Sequence, residues 1–210
     1  MKRKLFIAAL MLGLALPVVT AQCDCGTDPD CVCNPAGSTV PDLTGNANDN
    51  AMTNYGTVDG DMDGQAGDDT MTNNGSVGSP PGMPGAMLGG SGDDTLTNNG
   101  SVDIMRGHTD DDTLTNNGQV VTMHGNTGND TLTNNGDAIM MFAGADNDTM
   151  TNNGEVVGVM VGDAGSDTIV NNGSVDVLDG AADRWDTPGE CHPRPAAEPP
   201  DGPVRQAGPA

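Results

Sequence analysis

The sequence predicts an all-β fold, a parallel β-roll or β-solenoid of about seven 18-residue coils with two short strands in each coil. One unit recurs along the middle of the chain and carries an Asn-Asn-Gly triplet, worn to Asn-Tyr-Gly in the first copy. Its glycines are Gly56, Gly75, Gly100, Gly118, Gly136, Gly154 and Gly173. Fixed-period self-similarity indicates stacked repeats that bury apolar residues against their neighbours. Glycine, asparagine, aspartate and threonine dominate every unit, which disfavours helices.

Each unit carries three apolar positions, which we expect to form the core. The first column is Met52, Met71, Leu96, Leu114, Leu132, Met150 and Ile169. The second is Val58, Val77, Val102, Val120, Ala138, Val156 and Val175. The third is Met62, Met87, Met105, Met123, Met141, Met160 and Leu178. Because the first and third columns are usually nine residues apart, each unit is interpreted as two half-coils with one strand each.

Two kinds of turn separate the strands, Gly-x-x-Gly-x-Asp and Asn-Asn-Gly. Both contain residues that tolerate a positive φ. The stacked asparagines are expected to form amide ladders, in which each side chain satisfies the next without net charge. The insertion Ser79–Gly85 should leave the roll as a surface loop, because its prolines cannot donate in a sheet.

The first 21 residues are interpreted as a secretory signal peptide. Residues 2–4 are basic, residues 5–19 are apolar up to and around Pro17, and residues 19–21 form a small-residue cleavage pattern. We therefore expect a secreted bacterial protein, outside the cell or on its surface, with the periplasm as the alternative. Loss of three basic residues takes the net charge from −23 to about −26. Such a chain repels nucleic acid and attracts cations.

Three segments are expected after the signal peptide. Residues 22–43 form a Cys-rich N-terminal segment, residues 44–186 the repeats with a cap, and residues 187–210 a disordered Pro-rich tail. Trp185 is expected to cover the open end of the last coil. No segment of the mature chain is expected to span a membrane.

Five cysteines in an exported chain suggest disulfides. The candidates are Cys23, Cys25, Cys31, Cys33 and Cys191. Two short bridges between the two Cys-x-Cys pairs fit the spacing, although the connectivity stays open. A four-thiolate zinc site is the alternative. The fifth cysteine is left to pair with another chain or to join the two ends.

An aspartate column runs through the repeats. The sixth position of the unit is Asn50 in the first copy and then Asp69, Asp94, Asp112, Asp130, Asp148 and Asp167. Carboxylates about 5 Å apart repel by roughly 3 kcal/mol per pair at an effective dielectric of 20. Stacking therefore requires the carboxyls to protonate, to splay into water or to share cations. Calcium suits oxygen ligands in glycine-rich turns better than magnesium, whereas the alternative is a merely solvated acidic face.

The runs that begin at Gly89, Gly125 and Gly162 resemble the calcium-binding nonapeptide of RTX (haemolysin-type) proteins. They read Gly-Gly-Ser-Gly-Asp-Asp-Thr-Leu-Thr, Gly-Asn-Thr-Gly-Asn-Asp-Thr-Leu-Thr and Gly-Asp-Ala-Gly-Ser-Asp-Thr-Ile-Val. The resemblance implies a parallel β-roll that holds calcium between successive turns, through the six aspartates and loop carbonyls. The glycines concerned are Gly89, Gly92, Gly125, Gly128, Gly162 and Gly165.

Only alternate half-coils match this pattern, so one edge of the roll should bind metal and the other should not. Ala143 replaces a first glycine, and Asp110 and Asp146 replace a second one. The first coil lacks the aspartate. The Thr-Asn-Asn-Gly-x-Val half-coils resemble repeats in the passenger regions of bacterial autotransporters.

The leading hypothesis is a secreted calcium-binding repeat protein with a structural or adhesive role and a cell-surface or carbohydrate partner. The alternative is an ice- or carbohydrate-binding solenoid that uses outward Thr-x-Thr pairs, although threonine also simply favours strands. These pairs are Thr70 and Thr72, Thr95 and Thr97, Thr113 and Thr115, Thr131 and Thr133, and Thr149 and Thr151. We expect no enzyme, because the histidines and serines assemble no nucleophile and base.

Overall fold

The computed structural model describes residues 28–78 and 84–180, together with the backbone of residues 183–187 and 190–193. The described residues form a parallel β-solenoid of about eight coils with two strand paths per coil and no helix. In chain order the strands are β1 (Cys31–Asn34), β2 (Thr39–Val40), β3 (Leu43–Thr44), β4 (Ala51–Asn54), β5 (Thr57–Val58), β6 (Met62–Ala66), β7 (Thr70–Asn73), β8 (Ser76–Val77), β9 (Ala86–Ser91), β10 (Thr95–Asn98), β11 (Ser101–Thr109), β12 (Thr113–Asn116), β13 (Gln119–Thr127), β14 (Thr131–Asn134), β15 (Asp137–Ala145), β16 (Thr149–Asn152), β17 (Glu155–Ala164), β18 (Thr168–Asn171), β19 (Ser174–Asp179), β20 (Asp183–Thr187) and β21 (Glu190–Pro193).

The strands form two sheets. Sheet A contains the four-residue strands, in the order β1, β4, β7, β10, β12, β14, β16 and β18, all parallel and in register. Sheet B contains the second strand path of each coil, from β2 and β3 to β19. Leu96, for example, pairs with Met71 on one side and Leu114 on the other. Like residues therefore stack throughout sheet A.

The strands of sheet B are longer than the two short strands predicted for each coil. In the early coils the path is broken into short pieces, such as β5 with β6 and β8 with β9. From β11 to β17 each strand runs through the corner for nine or ten residues. The register that pairs Val120 with Val102 is kept as far as the pairing of Thr127 with Thr109. The two pieces therefore merge where neighbouring coils pair on both sides of the corner.

The roll begins one coil before the predicted repeats, within the segment assigned to the cysteines. Strand β1 pairs in parallel with β4, so that Val32 lies beside Met52 and Asn34 beside Asn54. Cys31 and Cys33 in this strand are disulfide-bonded. A disulfide sulfur is not a thiolate ligand, so the zinc alternative loses two of its four ligands. Cys23 and Cys25 lie outside the described residues.

The three apolar columns form the core, as the sequence predicted. Among the described residues, the methionines, leucines and isoleucine of the first column are buried, and so are the methionines of the third. The valines and the alanine of the second column complete the core. Val175 and Leu178, in the last coil, are only partly buried. The core is thus a continuous stack that thins at its C-terminal end.

The predicted asparagine ladders are confirmed. On the inner side, Asn98 Nδ2 donates to Asn116 Oδ1 at 2.8 Å and to the carbonyl oxygen of Gln119 at 2.9 Å. The same rung repeats from Asn34 to Asn152, whose side chains are fully buried. A second, exposed ladder joins the following asparagines, as in the bond from Asn117 Nδ2 to Asn99 Oδ1 at 2.9 Å.

Glycine is needed after these asparagines for a reason other than the positive φ that the sequence predicted. Among the described residues, none of the Asn-Asn-Gly triplets contains a positive φ. A Cβ on Gly118 would instead lie 2.0 Å from the carbonyl oxygen of Gly100. The same contact recurs from coil to coil, at 1.9 Å for Gly75 and 2.1 Å for Gly136. Close approach of successive coils therefore excludes every side chain here.

The insertion does not disturb the stack. Gly78 and Gly85 lie against each other, since a Cβ on Gly85 would be 2.2 Å from the nitrogen of Gly78. Residues 79–83 lie outside the described residues. Across this insertion Asn73 Nδ2 still donates to Asn98 Oδ1 at 2.8 Å, over a spacing of 25 residues. The excursion thus starts and ends at one corner of the roll.

At the C-terminal end, β21 pairs antiparallel with β18, and β20 pairs with β21. These strands cover the last edge of sheet A. Only the backbone of Trp185 is described, so its capping role stays a prediction. The predicted signal peptide lies outside the described part of the chain. Of the predicted tail, only the backbone of residues 187 and 190–193 is described. Within that part, no helix has the length and hydrophobicity needed to cross a membrane.

Candidate metal centre

The aspartate column at the sixth position points into the roll. Its side chains are 1–3% exposed, whereas Asp111 and Asp93, at the fifth position, are exposed. Each sixth-position residue directly precedes a strand of sheet A, in which exposed and buried positions alternate. The aspartate is thus in phase with the buried leucine two residues later. Splaying of these carboxyls into water is therefore excluded.

One oxygen of each buried carboxyl accepts a backbone hydrogen bond from the preceding coil. The N–H of Asp94 donates to Asp112 Oδ1 at 2.8 Å, and that of Asp112 donates to Asp130 Oδ1 at 2.8 Å. The same bond links every pair of neighbours from Asn50 to Asp167, at 2.6–3.0 Å. The column therefore ties each coil to the next through one oxygen per carboxyl.

The other oxygen, Oδ2, is buried and has no hydrogen-bond partner within the protein. This holds for Asp69, Asp94, Asp112, Asp130 and Asp148. Leaving a buried acceptor unsatisfied costs about 1–3 kcal/mol, and more when the group is charged. Recurrence of such an oxygen in successive coils indicates a site that takes either a proton or a cation.

These oxygens lie over the first glycine of their own turn. A Cβ added to Gly125 would be 2.2 Å from Asp130 Oδ2 and 2.5 Å from the carbonyl oxygen of Ala143 in the next coil. A Cβ on Gly64 would be 2.2 Å from Asp69 Oδ2 and 2.7 Å from the carbonyl oxygen of Gly89. A carboxylate oxygen of one coil and a carbonyl oxygen of the next thus both pack against the same glycine, in a space that a Cβ would have to contest.

The structure separates the two glycines that the sequence grouped together. Gly89 and Gly125 line the carboxyl, and Gly162 lies beside Asp167 Oδ2 in the same way, at 2.4 Å from an added Cβ. Gly92, Gly128 and Gly165 instead have a positive φ, of 116°, 123° and 152°, and shape the outer part of the turn. The second-position replacements Asp110 and Asp146 adopt a positive φ as well.

Sequence reasoning missed two of the lining glycines. Gly64 and Gly107 stand five residues before Asp69 and Asp112, and an added Cβ on each would lie 2.2 and 2.1 Å from the carboxyl. Their spacing from the aspartate was the available signal. In the first coil the amide oxygen of Asn50 takes the place of the carboxylate and accepts a hydrogen bond from the N–H of Asn46 at 2.6 Å.

Burial makes ionisation of the column unfavourable. Desolvation raises the pKa of Asp94 to about 7 and that of Asp112 to about 8, and the charges of neighbouring aspartates add to the increase. It raises the pKa of Asp130 to about 6 and that of Asp148 to about 7, and the pKa of Asp69 also rises. The backbone hydrogen bond lowers each pKa in part. Near neutral pH the column therefore requires protons or a counter-charge.

The donor set suits a hard cation. Within residues 28–78 and 84–180, no three His, Cys, Asp or Glu side chains gather into a metal-binding group. An ion here would therefore depend on one carboxylate per turn together with backbone carbonyls, and its remaining ligands would be further carbonyls or water. Calcium accepts six to eight such oxygens with flexible geometry, whereas magnesium requires a stricter octahedron. The buried, unpartnered carboxylate oxygens and the carbonyl oxygens beside them fit calcium.

Two of the histidines, His108 and His124, lie in the long strands β11 and β13 of sheet B. Arg106, His124 and Phe142 are register partners on the outer side of sheet B, and the rings of His124 and Phe142 stack with centroids 5.0 Å apart. Burial lowers the pKa of His108 and His124, and the charge of Arg106 lowers it further. His192 is described only by its backbone.

The fold and this site define a class, a parallel β-solenoid with stacked asparagine ladders and buried turn aspartates, compatible with a β-roll repeat. Comparison of the chain with protein families, curated proteins and solved structures finds no match.

Proposed function

We propose that this chain is a secreted calcium-binding repeat protein with a structural or adhesive role, whose roll is stabilised by calcium at the aspartate corner. The single observation that supports the proposal most is the orphaned, buried Oδ2 that recurs beside a glycine in successive coils. Extracellular modules bind calcium at about 10⁻⁴–10⁻³ M, so the roll would complete its folding after export. Its partner would be a cell surface or a carbohydrate.

The arrangement of the two corners supports a structural role for the ion. At the Asn-Asn-Gly corner, neutral amides satisfy one another from coil to coil. At the opposite corner the carboxyls cannot do so, because a carboxylate has no donor. An ion shared between a carboxylate of one coil and a carbonyl of the next would complete that corner. Calcium would thus replace the hydrogen bonds that the aspartates lack.

A pair of adjacent substitutions tests the proposal. Asp112 is buried in the column, and Asp111 is exposed beside it. Calcium binding is measured by titration calorimetry, and β-structure by circular dichroism with and without chelator. Asp112→Asn should remove calcium from its turn, whereas Asp111→Asn, with the same loss of charge, should leave that binding in place. A wild-type chain that binds no calcium, or two variants that behave alike, would refute the proposal.

A second candidate function rests on the outer face of sheet A. Thr95, Thr113 and Thr131 are register partners in one exposed column, and Thr97 and Thr115 belong to a second, half-buried one. Strand spacings place these hydroxyls on a grid of roughly 4.8 by 6.6 Å. Such a regular face would suit ice or a carbohydrate. Thermal hysteresis that is lost in Thr113→Lys would support ice binding, and its absence from the wild-type protein would eliminate that role.

A further inference from the structure

The first position of the Asp-bearing turn is glycine in every described coil except one. Gly45, Gly64, Gly89, Gly107, Gly125 and Gly162 share this position. Ala143 takes it in the coil of Asp148, and pairing of Phe142 with His124 and of Gly144 with Asn126 aligns Ala143 with Gly125. The exception therefore stands in the sixth of the seven turns, in register with its neighbours.

A methyl group at this position competes for the space that the carboxylate oxygen takes in the other turns. On the neighbouring glycines, an added Cβ would lie 2.2 Å from Asp130 Oδ2 and 2.4 Å from Asp167 Oδ2. Ala143 is 0% exposed and belongs to the hydrophobic core. Because Ala143 has the register position of Gly125, its methyl group is expected to project toward the carboxyl of Asp148, as an added Cβ on Gly125 would toward Asp130.

Asp148 keeps the rest of the arrangement of its neighbours. The N–H of Asp130 donates to Asp148 Oδ1 at 2.7 Å, and the N–H of Asp148 donates to Asp167 Oδ1 at 3.0 Å. Its Oδ2 is buried without a partner, as in the preceding coils. The carbonyl oxygen of Ala143 still points at the turn of Asp130. Only the space beside Asp148 differs.

We propose that Ala143 closes the turn of Asp148 to calcium, so that the ion column of the roll is interrupted at this coil. The inference rests on the proposed calcium-binding function and adds a rule to it, that the first residue of each turn decides whether the turn takes an ion. Glycine lets the carboxylate of its own turn and a carbonyl of the next coil approach closely enough to share a cation. The methyl group of alanine must hold these two oxygens further apart, so that they no longer share one.

The two blocks of the column then differ in length. The turns of Asp69, Asp94, Asp112 and Asp130 form an unbroken run of glycine-lined sites. The turn of Asp167 is separated from them by the closed turn. Coils on the two sides of the interruption would therefore gain stability from calcium separately.

Reciprocal substitutions in the full exported chain test the inference. Each substitution gives one coil the residue of its neighbour at the same register position. Gly125→Ala requires the carboxyl of Asp130 to move, whereas Ala143→Gly only removes a methyl group. Calcium per chain is counted by native mass spectrometry and by equilibrium dialysis. Ala143→Gly should bind one calcium more than the wild type, and Gly125→Ala one fewer. Ala138→Gly is the matched control, because it removes a buried methyl group from the same coil, away from the aspartates, and should leave the count unchanged.

The outcomes separate this inference from the proposed function. If the wild type binds calcium and Ala143→Gly binds the same number of ions, the gating role of Ala143 is refuted while calcium binding stands. If Ala138→Gly also changes the count, the effect is one of core packing and the inference fails. If no form of the chain binds calcium, both ideas fall together. Gain of an ion in Ala143→Gly does not depend on whether Gly125→Ala folds.

Discussion

Raising the pH of a metal-free sample should unfold this protein, which is the reverse of ordinary acid denaturation. The pKa of Asp130 is about 6, those of Asp94 and Asp148 about 7, and that of Asp112 about 8. An unfolded aspartate has a pKa of about 3.9. A group whose pKa is raised by folding stabilises the fold fully below its unfolded pKa. That stabilisation is lost as the pH rises through the folded pKa. The decisive window is therefore pH 4 to 8.

The size of the effect follows from one carboxyl. One pKa unit corresponds to about 1.4 kcal/mol, so ionising Asp94 inside the fold costs up to about 4 kcal/mol. Two such groups together approach the roughly 5–15 kcal/mol by which a typical domain is stable. Metal-free protein should therefore melt far lower at pH 8 than at pH 5. Calcium at 100 times its dissociation constant would return about 2.7 kcal/mol for each independent site.

Circular dichroism melts at pH 5 and pH 8, in EDTA and in millimolar calcium, measure this directly. We expect β-structure in both buffers at pH 5, loss or a low Tm in EDTA at pH 8, and recovery on adding calcium. Magnesium serves as the control for general screening and should restore less. An EDTA-treated sample that melts at the same temperature at pH 5 and pH 8 would show that neither protons nor cations hold the column together.

Three further predictions concern the stack, and urea denaturation measures each. Asn116→Ala should cost about 1–3 kcal/mol, since it removes the donor to the buried Asn134 Oδ1 and one of the acceptors of Asn98 Nδ2. Asn117→Ala, in the exposed ladder, should cost less than about 1 kcal/mol, and equal effects would contradict this. Gly118→Ala should destabilise the roll, because its Cβ would lie 2.0 Å from a backbone oxygen. At unstrained positions a Gly→Ala substitution often stabilises a protein by about 0.4–1 kcal/mol. A rise in stability would therefore refute the close approach of the coils. Leu114→Ala should lower the free energy of unfolding by about 2–5 kcal/mol, because Leu114 is buried. The control Thr113→Ala, at an exposed position, should lower it by about 0.5 kcal/mol. Similar losses in the two variants would show that the leucine column is not the core.

The repeat made the fold predictable. Because each repeat position occurs in seven copies, one divergent copy did not obscure which positions face inward. Leu96, Leu114 and Leu132 share one register position and one environment. The coil formed by β1 escaped detection because Cys-Val-Cys-Asn replaces Thr-Leu-Thr-Asn. The alternation of residues is the same, but the cysteines suggested a separate segment.

Only part of the candidate site could be predicted from the sequence. The period identified the aspartates, and their spacing from glycine suggested calcium. It did not reveal that the carboxyls face inward, or that the first and second glycines have different roles. Those facts depend on contacts between coils, such as the approach of the Ala143 carbonyl oxygen to the turn of Asp130. The steric reason for Gly118 is likewise a distance between coils and leaves no local signal.

The insertion between Gly78 and Gly85 shows that residues can be added to the surface of this solenoid while the stacking of its coils is kept. Since both ends of the excursion meet at one corner, a guest peptide of similar length grafted there would project outward while the asparagine rung across it stays closed. The corner is therefore a natural place to display a grafted peptide on a rigid support.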